Sequence, residues 1–147
     1  MLQRLPSEDV FQEQITAFIR AFGLHRPEQT PCGEAIAVAE AHALLELSRA
    51  APLSQRSLAQ RLRLEKSTIS RLVGLLEQRG WITRARNAHD ARVLELRLTV
   101  AGQQAAAQLV EARRVKFARL LDAIPAEHHP LVLEALRLLT EASNEQQ

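Results

Sequence analysis

The spacing of apolar residues predicts helices in the outer parts of the chain. Phe11, Ile15 and Phe18 recur three or four residues apart, as they would on one face of a helix. Ser7 can cap the start of this first helix, and Gly23 can end it.

Three further helices are predicted on either side of the middle of the chain. One runs from about Gly33 to Ser48, one from Thr99 to about Asp122, and one starts at Pro125. The helix from Gly33 is expected to turn five residues inward: Ile36, Ala39, Ala43, Leu44 and Leu47. The terminal helices carry more apolar surface than one small domain needs, which predicts a homodimer.

The middle of the chain has shorter elements. Ser54 can cap a short helix, and Arg63-Leu64-Glu65 is too short to be anything but a tight connector. The next helix stops at Gly80 and has four inward positions: Ile69, Leu72, Val73 and Leu76. Two short helices joined in this way form a helix-turn-helix, whose second helix can enter the major groove of DNA.

Two strand-like runs follow, at 81–86 and 92–98, with the turn Asn87-Ala88-His89-Asp90 between them. Leu94, Leu96 and Leu98 recur at every second position, which is the period of a half-buried strand. A β-hairpin directly after a candidate recognition helix makes a winged helix-turn-helix.

The predicted fold class is therefore mainly α with a small β wing (α+β). Residues 1–147 form a single subunit, with the winged module at 53–98 and dimerisation helices at 1–30 and 100–147.

Composition supports this interpretation. Apolar residues make up 46% of the chain and aromatic residues only 3%, a mixture that favours helices over a β-sandwich. The longest apolar run, Ala35 to Ala39, is far shorter than the roughly 20 residues of a membrane span. No apolar signal segment is expected at the start. One cysteine, Cys32, excludes an internal disulfide and suits the reducing cytoplasm, so a cytoplasmic protein is predicted.

The charge is unevenly distributed, although the net charge is only +2. Ten basic and four acidic residues lie between Ser54 and Arg97, whereas the flanks hold nine basic and thirteen acidic residues. A basic centre between mildly acidic flanks is typical of a module that binds a polyanion. A solvated arginine-rich face is the alternative.

No motif indicates an enzyme, a cofactor or a metal. The chain has no G-x-S-x-G, Walker or H-E-x-x-H sequence. His128 and His129 are adjacent, and neighbouring residues on a helix point about 100° apart, so they are poorly placed to chelate one ion together.

The segment "LSQRSLAQRLRLEKSTISRLVGLLEQRGWITRARNAHDARVLELRLTVAG" (Leu53 to Gly102) resembles the winged helix-turn-helix of MarR-family transcriptional regulators. Four pieces carry the resemblance in order: S-R-L-V in the recognition helix, L-E-x-R-G-W/L-I at its end, D-x-R in the wing, and L-T-x-x-G before the next helix. The flanking helices resemble the family's dimerisation helices in number and length.

The resemblance implies a homodimer that binds a pseudo-palindromic operator in double-stranded DNA and usually represses nearby genes. Family members are commonly released by small phenolic ligands, oxidants or metals. The sequence departs from the family pattern at Ala91, where the residue is often basic, and at His89, which stands in place of another Arg. These changes predict a wing that holds DNA less tightly, or with more dependence on pH. There is also no tyrosine, which the peroxide-sensing members use to stabilise a reactive thiolate.

The wing tip is expected to reach the minor groove, where an Arg is attracted by the negative potential of narrow A·T tracts. Asp90 can hold the guanidinium of Arg92 in a bidentate pair and present it already oriented. An exposed ion pair that only decorates the turn is the alternative. The candidate DNA-binding residues are Arg56, Lys66, Ser67, Thr68, Ser70, Arg71, Arg84, Arg86, His89, Asp90 and Arg92.

Several roles within this set stay open. Arg71 can contact guanine edges or phosphates, and Ser67 or Glu65 can serve only as a helix cap. A winged-helix adaptor that binds proteins and not DNA is the alternative function, but such a module should have lost its basic recognition face.

Cys32 is a candidate redox switch. It lies between Pro31 and Gly33 at the predicted start of the second helix, where amide groups and the helix dipole favour a thiolate. Packing is the favoured alternative, because a lone cysteine is commonly buried and no second cysteine can resolve a sulfenic acid.

Overall fold

The computed structural model describes residues 7–147 and confirms the predicted fold class, with helices around a small antiparallel sheet. Its elements are α1 (Glu8–Phe22), α2 (Val38–Ala50), β1 (Leu53–Ser54), α3 (Gln55–Leu62), α4 (Lys66–Gln78), β2 (Ile82–Arg86), β3 (Leu94–Leu98), α5 (Val100–Asp122), a 3₁₀ turn (Ala126–His128) and α6 (His129–Glu145). The chain divides into two compact units, one ending at Ala112 and one at Arg113–Gln147. No helix within residues 7–147 is long and apolar enough to cross a membrane.

The first helix has the predicted ends. The Ser7 hydroxyl accepts from the Val10 amide at 3.4 Å, and Gly23, at φ 95°, donates to the Ile19 carbonyl at 3.0 Å. Residues 1–6, which belong to the predicted dimerisation segment 1–30, lie outside the described residues. None of the α1 residues is buried.

The predicted start of the second helix is wrong. Gly33 has a φ of 94° and closes a tight turn with its amide on the Thr30 carbonyl, while the Thr30 hydroxyl accepts from the Glu34 amide at 3.0 Å. These side-chain and turn bonds replace helical ones, so α2 begins only at Val38. The inward set is also shifted, because Ala39 is exposed and Glu40 is buried.

The helix-turn-helix forms as predicted. The Ser54 hydroxyl accepts from the Ser57 amide at 3.0 Å at the start of α3, and Arg63 takes the left-handed conformation at its end, with φ 54°. A short connector can then follow, since Arg63 and Leu64 both donate to carbonyls of the last turn. The buried core under both helices consists of Leu44, Leu47, Leu58, Ile69, Leu72, Val73, Leu76, Ile82, Leu96, Ala106 and Leu109, with smaller contributions from their neighbours.

The wing contains one strand more than the sequence predicted. The sheet order is β1-β3-β2, with Leu53 opposite Leu96 on one side and Arg84 opposite Leu96 on the other. The two residues of β1 precede α3 directly, so the base of the wing is hydrogen-bonded to the start of the helix-turn-helix.

The long helix α5 begins where the recognition module ends. Thr99 donates its amide to the Trp81 carbonyl at 2.9 Å and its hydroxyl to the Gly80 carbonyl at 2.6 Å, while that hydroxyl accepts from the Gly102 amide. A Cβ added at Gly102 would lie 2.0 Å from the Trp81 carbonyl oxygen. Only glycine fits this contact between α5 and the start of β2.

The second unit carries the predicted last helix, which starts after one 3₁₀ turn and not directly at Pro125. Arg137 on α6 bonds both Glu134 and Glu141, and its guanidinium lowers the pKa of the Glu134 carboxyl below the ordinary value. None of the α6 residues is buried, and four of its leucines are exposed: Leu131, Leu133, Leu136 and Leu138.

Candidate nucleic-acid interface

The recognition helix α4 has one buried and one open face. Its four predicted inward residues are buried, whereas Lys66, Ser67, Ser70 and Arg71 are exposed and Thr68 is half-buried. The helix is thus fixed by its apolar side while its first two turns present hydroxyl and cationic groups outward. Such groups can bond base edges and phosphate oxygens.

None of these exposed side chains makes a capping hydrogen bond at the start of α4. Glu65 occupies the N-cap position, but no side chain makes a capping hydrogen bond there. Of the two capping alternatives, the backbone position therefore belongs to Glu65, and the Ser67 hydroxyl caps nothing. The first amides of α4 are available to an anion, as are those of any uncapped helix start.

Five of the nine arginines in the basic centre pair with a carboxylate, and the pair of Arg92 with Asp90 in the wing is one of the five. Ion pairs join Arg61 to Glu46 at 3.2 Å, Arg79 to Glu40 at 2.6 Å, Arg84 to Glu77 at 2.8 Å and Arg97 to Glu95 at 3.7 Å. In the described part of the chain, the cations of this region without a carboxylate partner are Arg56, Arg63, Lys66, Arg71 and Arg86. Four of these five lie on the helix-turn-helix, so the charge available to a polyanion is concentrated there.

Arg84 and Arg86 are both tied to the protein. Arg84 bonds Glu77 at the end of α4, and Arg86 donates to the Ala91 carbonyl in the hairpin loop. Arg63, which the sequence interpretation left in the connector, is exposed and free. In the sequence, only the basic charge of Arg63 beside the turn between the two helices could have indicated that it belongs to this set of cations.

The predicted bidentate pair between Asp90 and Arg92 is wrong in its geometry. One oxygen, Asp90 Oδ1, accepts both from Arg92 Nε at 3.2 Å and from the Arg92 backbone amide at 3.0 Å. The Arg92 side chain is 92% exposed, so the carboxylate bonds the Nε edge of the guanidinium and leaves its two terminal nitrogens open to solvent. His89 is also exposed at the tip.

Asn87 organises the wing loop, a role that the sequence interpretation missed. Its Oδ1 accepts from the amides of His89 at 2.8 Å and Asp90 at 3.0 Å, and its Nδ2 donates to Glu95 Oε1. An Asn at the first position of a turn commonly bonds the backbone two residues on, which was the available signal. The partner Glu95 lies eight residues along the chain, so the residues around Asn87 did not indicate this hydrogen bond.

Cys32 does not lie where the sequence placed it. The α2 helix begins six residues later, so its free amides and dipole do not act on the thiol. The sulfur lies 2.9 Å from the Thr30 hydroxyl oxygen, and the half-buried side chain packs against the hydrophobic core. These contacts are those of a packed cysteine.

One of the two adjacent histidines, His129, bonds the backbone. His129 Nε2 lies 2.9 Å from the carbonyl oxygens of Leu121 and Ile124, where it closes the corner between helices. No group of three or more metal-binding side chains occurs among residues 7–147.

Comparisons with known proteins agree with this geometry. A model described as "MarR family" matches residues 36–93, which contain α2, the helix-turn-helix and the first half of the wing. No curated protein matches the chain.

Solved structures share the fold at low identity. The chain is 18% identical to FabT of Streptococcus pneumoniae, solved in complex with DNA, with a TM-score of 0.80 over 95% of this chain and 99% of that one. It is 20% identical to the PcaV transcriptional regulator of Streptomyces coelicolor, solved with its natural ligand, with a TM-score of 0.71 over 97% and 99%. A probable transcriptional regulator from Pseudomonas aeruginosa is 22% identical, with a TM-score of 0.73 over 90% and 97%.

An exposed, cationic recognition helix followed by a hairpin defines the class of winged helix-turn-helix DNA-binding regulators. The family match over residues 36–93 and the fold shared with solved structures agree with the resemblance drawn from the sequence.

Proposed function

We propose that the protein is a homodimeric repressor that binds a pseudo-palindromic operator and releases it when a small molecule binds. The observation that carries the proposal is the set of unpaired cations on α3 and α4 beside a wing whose Arg92 side chain is 92% exposed. FabT, which shares the fold, was solved in complex with DNA. Such a repressor acts on chromosomal DNA, so the cytoplasm is its proposed location.

In this proposal the two parts of the module have different contacts. The exposed face of α4 enters the major groove, with Ser67, Thr68, Ser70 and Arg71 nearest the bases and Lys66 and Arg56 toward phosphates. The wing places Arg92 and His89 at the minor groove. Arg84, Arg86 and Asp90 support the wing through their contacts with the protein.

Dimerisation is proposed from the apolar residues that the isolated chain leaves exposed. Phe11 is 53% and Phe18 47% exposed on α1, and Leu131 is 65% exposed on α6. Patches of this kind usually mark a protein interface. A second copy would cover them and would set two recognition helices for the two halves of a pseudo-palindrome.

A groove of about 620 Å³ is the proposed effector site. Its lining includes the apolar Leu47, Leu98 and Val110 and the charged Arg49 and Arg97. Its volume lies in the range of small-molecule sites. The groove contacts α2, β3 and α5, so a ligand there would touch the strand that carries the wing. PcaV, of the same fold, was solved with a natural ligand.

Selection of bound duplexes from a random pool tests the proposal. We expect a two-fold symmetric site whose affinity falls steeply with salt concentration, because neutralised phosphates release counterions. Failure to enrich any duplex, with a folded dimer confirmed by circular dichroism and sedimentation, would favour the alternative of a winged-helix protein adaptor.

A further inference from the structure

We propose that Asn87 is a positioning residue for DNA binding, which holds the wing tip in the shape that presents Arg92. This inference rests on the proposed function. The Asn87 side chain bonds the backbone amides of His89 and Asp90 and the carboxylate of Glu95, and none of these three bonds is to Arg92 itself. Its effect on binding is therefore indirect, and it differs from that of a residue that bonds a phosphate or a base.

The orientation of the Asn87 amide is determined by its neighbours. The backbone amides of His89 and Asp90 can only donate, and the Glu95 carboxylate can only accept. The amide must therefore turn Oδ1 toward the loop and Nδ2 toward Glu95, as the structure has it. Both ends are satisfied in one orientation, and the opposite orientation would break all three hydrogen bonds.

The contacts form a continuous chain from the sheet to the tip. Glu95 lies in β3, with a side chain only 20% exposed, and its other oxygen pairs with Arg97 at 3.7 Å. Asn87 connects this carboxylate to the loop, and its own amide donates to the Val93 carbonyl at 2.9 Å. Asp90, held through its backbone amide, then accepts twice from Arg92.

The consequence for binding is entropic. A loop tip without this network would sample many shapes, and Arg92 would lose that freedom on entering a groove. Ordering one such side chain and its loop costs enough to weaken binding by about three- to tenfold. Asn87 orders the loop already in the free protein, so less conformational entropy is lost when DNA binds.

A double-mutant cycle on the selected duplex tests the inference. We expect Asn87→Ala to weaken binding about three- to tenfold and Arg92→Ala to weaken it as well. The double variant should bind within about twofold of Arg92→Ala, because Asn87 acts through Arg92. Gln78→Ala, which removes an exposed side-chain amide in the last turn of α4 outside the proposed DNA, dimer and effector contacts, is the control and should bind like wild type.

An exchange of donor and acceptor separates positioning from simple damage. In Asn87→Asp two carboxylates face each other, and binding should fall. Adding Glu95→Gln restores a donor opposite an acceptor while the net charge stays that of wild type. We expect the Asn87→Asp/Glu95→Gln pair to bind within about twofold of wild type.

Amide hydrogen exchange in the free protein gives a readout independent of DNA. Asn87→Ala should lower protection of the His89 and Asp90 amides about tenfold and leave the α4 amides unchanged. Additive effects in the cycle, unchanged binding of Asn87→Ala, or unchanged exchange at the tip would each overturn the inference. Wild-type protein that binds no duplex would overturn the proposed function itself, and it would do so whatever the exchange data showed.

Discussion

Arg92 combines a fixed base with a free end, and this is what a groove-reading side chain needs. Its backbone amide and Nε both bond one oxygen of Asp90, while the side chain is 92% exposed. As an exposed ion pair, the contact contributes little to stability, in the range of about 0–1 kcal/mol. Under the proposed function, the contact would serve to orient Arg92 toward DNA.

Arg92→Ala is expected to weaken binding to the selected duplex by about 1 kcal/mol or more and to lower the salt slope by about one. The unfolding free energy should change by less than about 1 kcal/mol. Titrations at several salt concentrations with chemical denaturation as the control measure both. Wild-type affinity and slope in the variant would show that the wing does not touch DNA.

Cys32 shows how a residue's chemistry depends on where the helix starts. As a switch, it would let peroxide release wild-type protein from its duplex while Cys32→Ser stays bound. Its hydrogen bond to Thr30 and its distance along the chain from α2 instead favour packing. We expect stoichiometric organic peroxide to affect both proteins equally in a duplex-binding assay. Selective release of the wild type would reinstate the redox switch.

At the scale of elements, the sequence predicted the helix caps and the hairpin, which depend on neighbouring residues. Ser7 and Ser54 were predicted as caps and Thr99 as the start of a helix, and each makes a capping hydrogen bond. The hairpin follows from alternation and turn residues. The start of α2 was missed although local bonds of Thr30 determine it. Two other features depend on distant residues: β1 forms because Leu53 pairs with Leu96, and nothing next to Glu40 in the sequence indicates that Arg79 pairs with it.

The same limit applied to the interface. Its exposed helix face could be read from periodicity, because the buried positions of α4 recur at helical spacing. The sequence did not indicate which cations lack a carboxylate partner. The partners of the paired cations can lie far along the chain, as Glu46 does for Arg61.

Two glycines in helices are expected to respond oppositely to the same change. Gly102→Ala would drive a Cβ into the Trp81 carbonyl and should destabilise the fold by about 1–3 kcal/mol. Gly74→Ala, in α4, meets nothing within 4 Å and should stabilise it by about 0.5–1 kcal/mol through helix propensity. Urea unfolding of both variants measures the signs. A stable Gly102→Ala protein would mean that the start of α5 is not tied to the start of β2.

At the scale of the whole molecule, one subunit leaves its apolar surface incomplete. Large apolar side chains of α1 and α6 are exposed to solvent, among them Phe11, Phe18 and Leu136. A single chain therefore gives the recognition module its buried core, but it leaves the apolar side chains of these two helices uncovered. In the proposed function, a second copy would cover these residues and would match the symmetry of the operator.

Removal of residues 1–30 or of residues 125–147 is expected to dissolve the dimer and, with it, specific binding. Each truncation removes exposed apolar helix surface, while the helix-turn-helix and wing keep their own buried core. One half-site then has to be bound alone, so the gain from linked binding is lost, which is commonly about 10²-fold or more. Sedimentation gives the mass, circular dichroism checks that the module stays folded, and a duplex titration gives the affinity. A truncated protein that sediments as a dimer and binds the selected duplex as wild type does would place the dimer contacts elsewhere, with α2 and the middle of α5 the surfaces to test next.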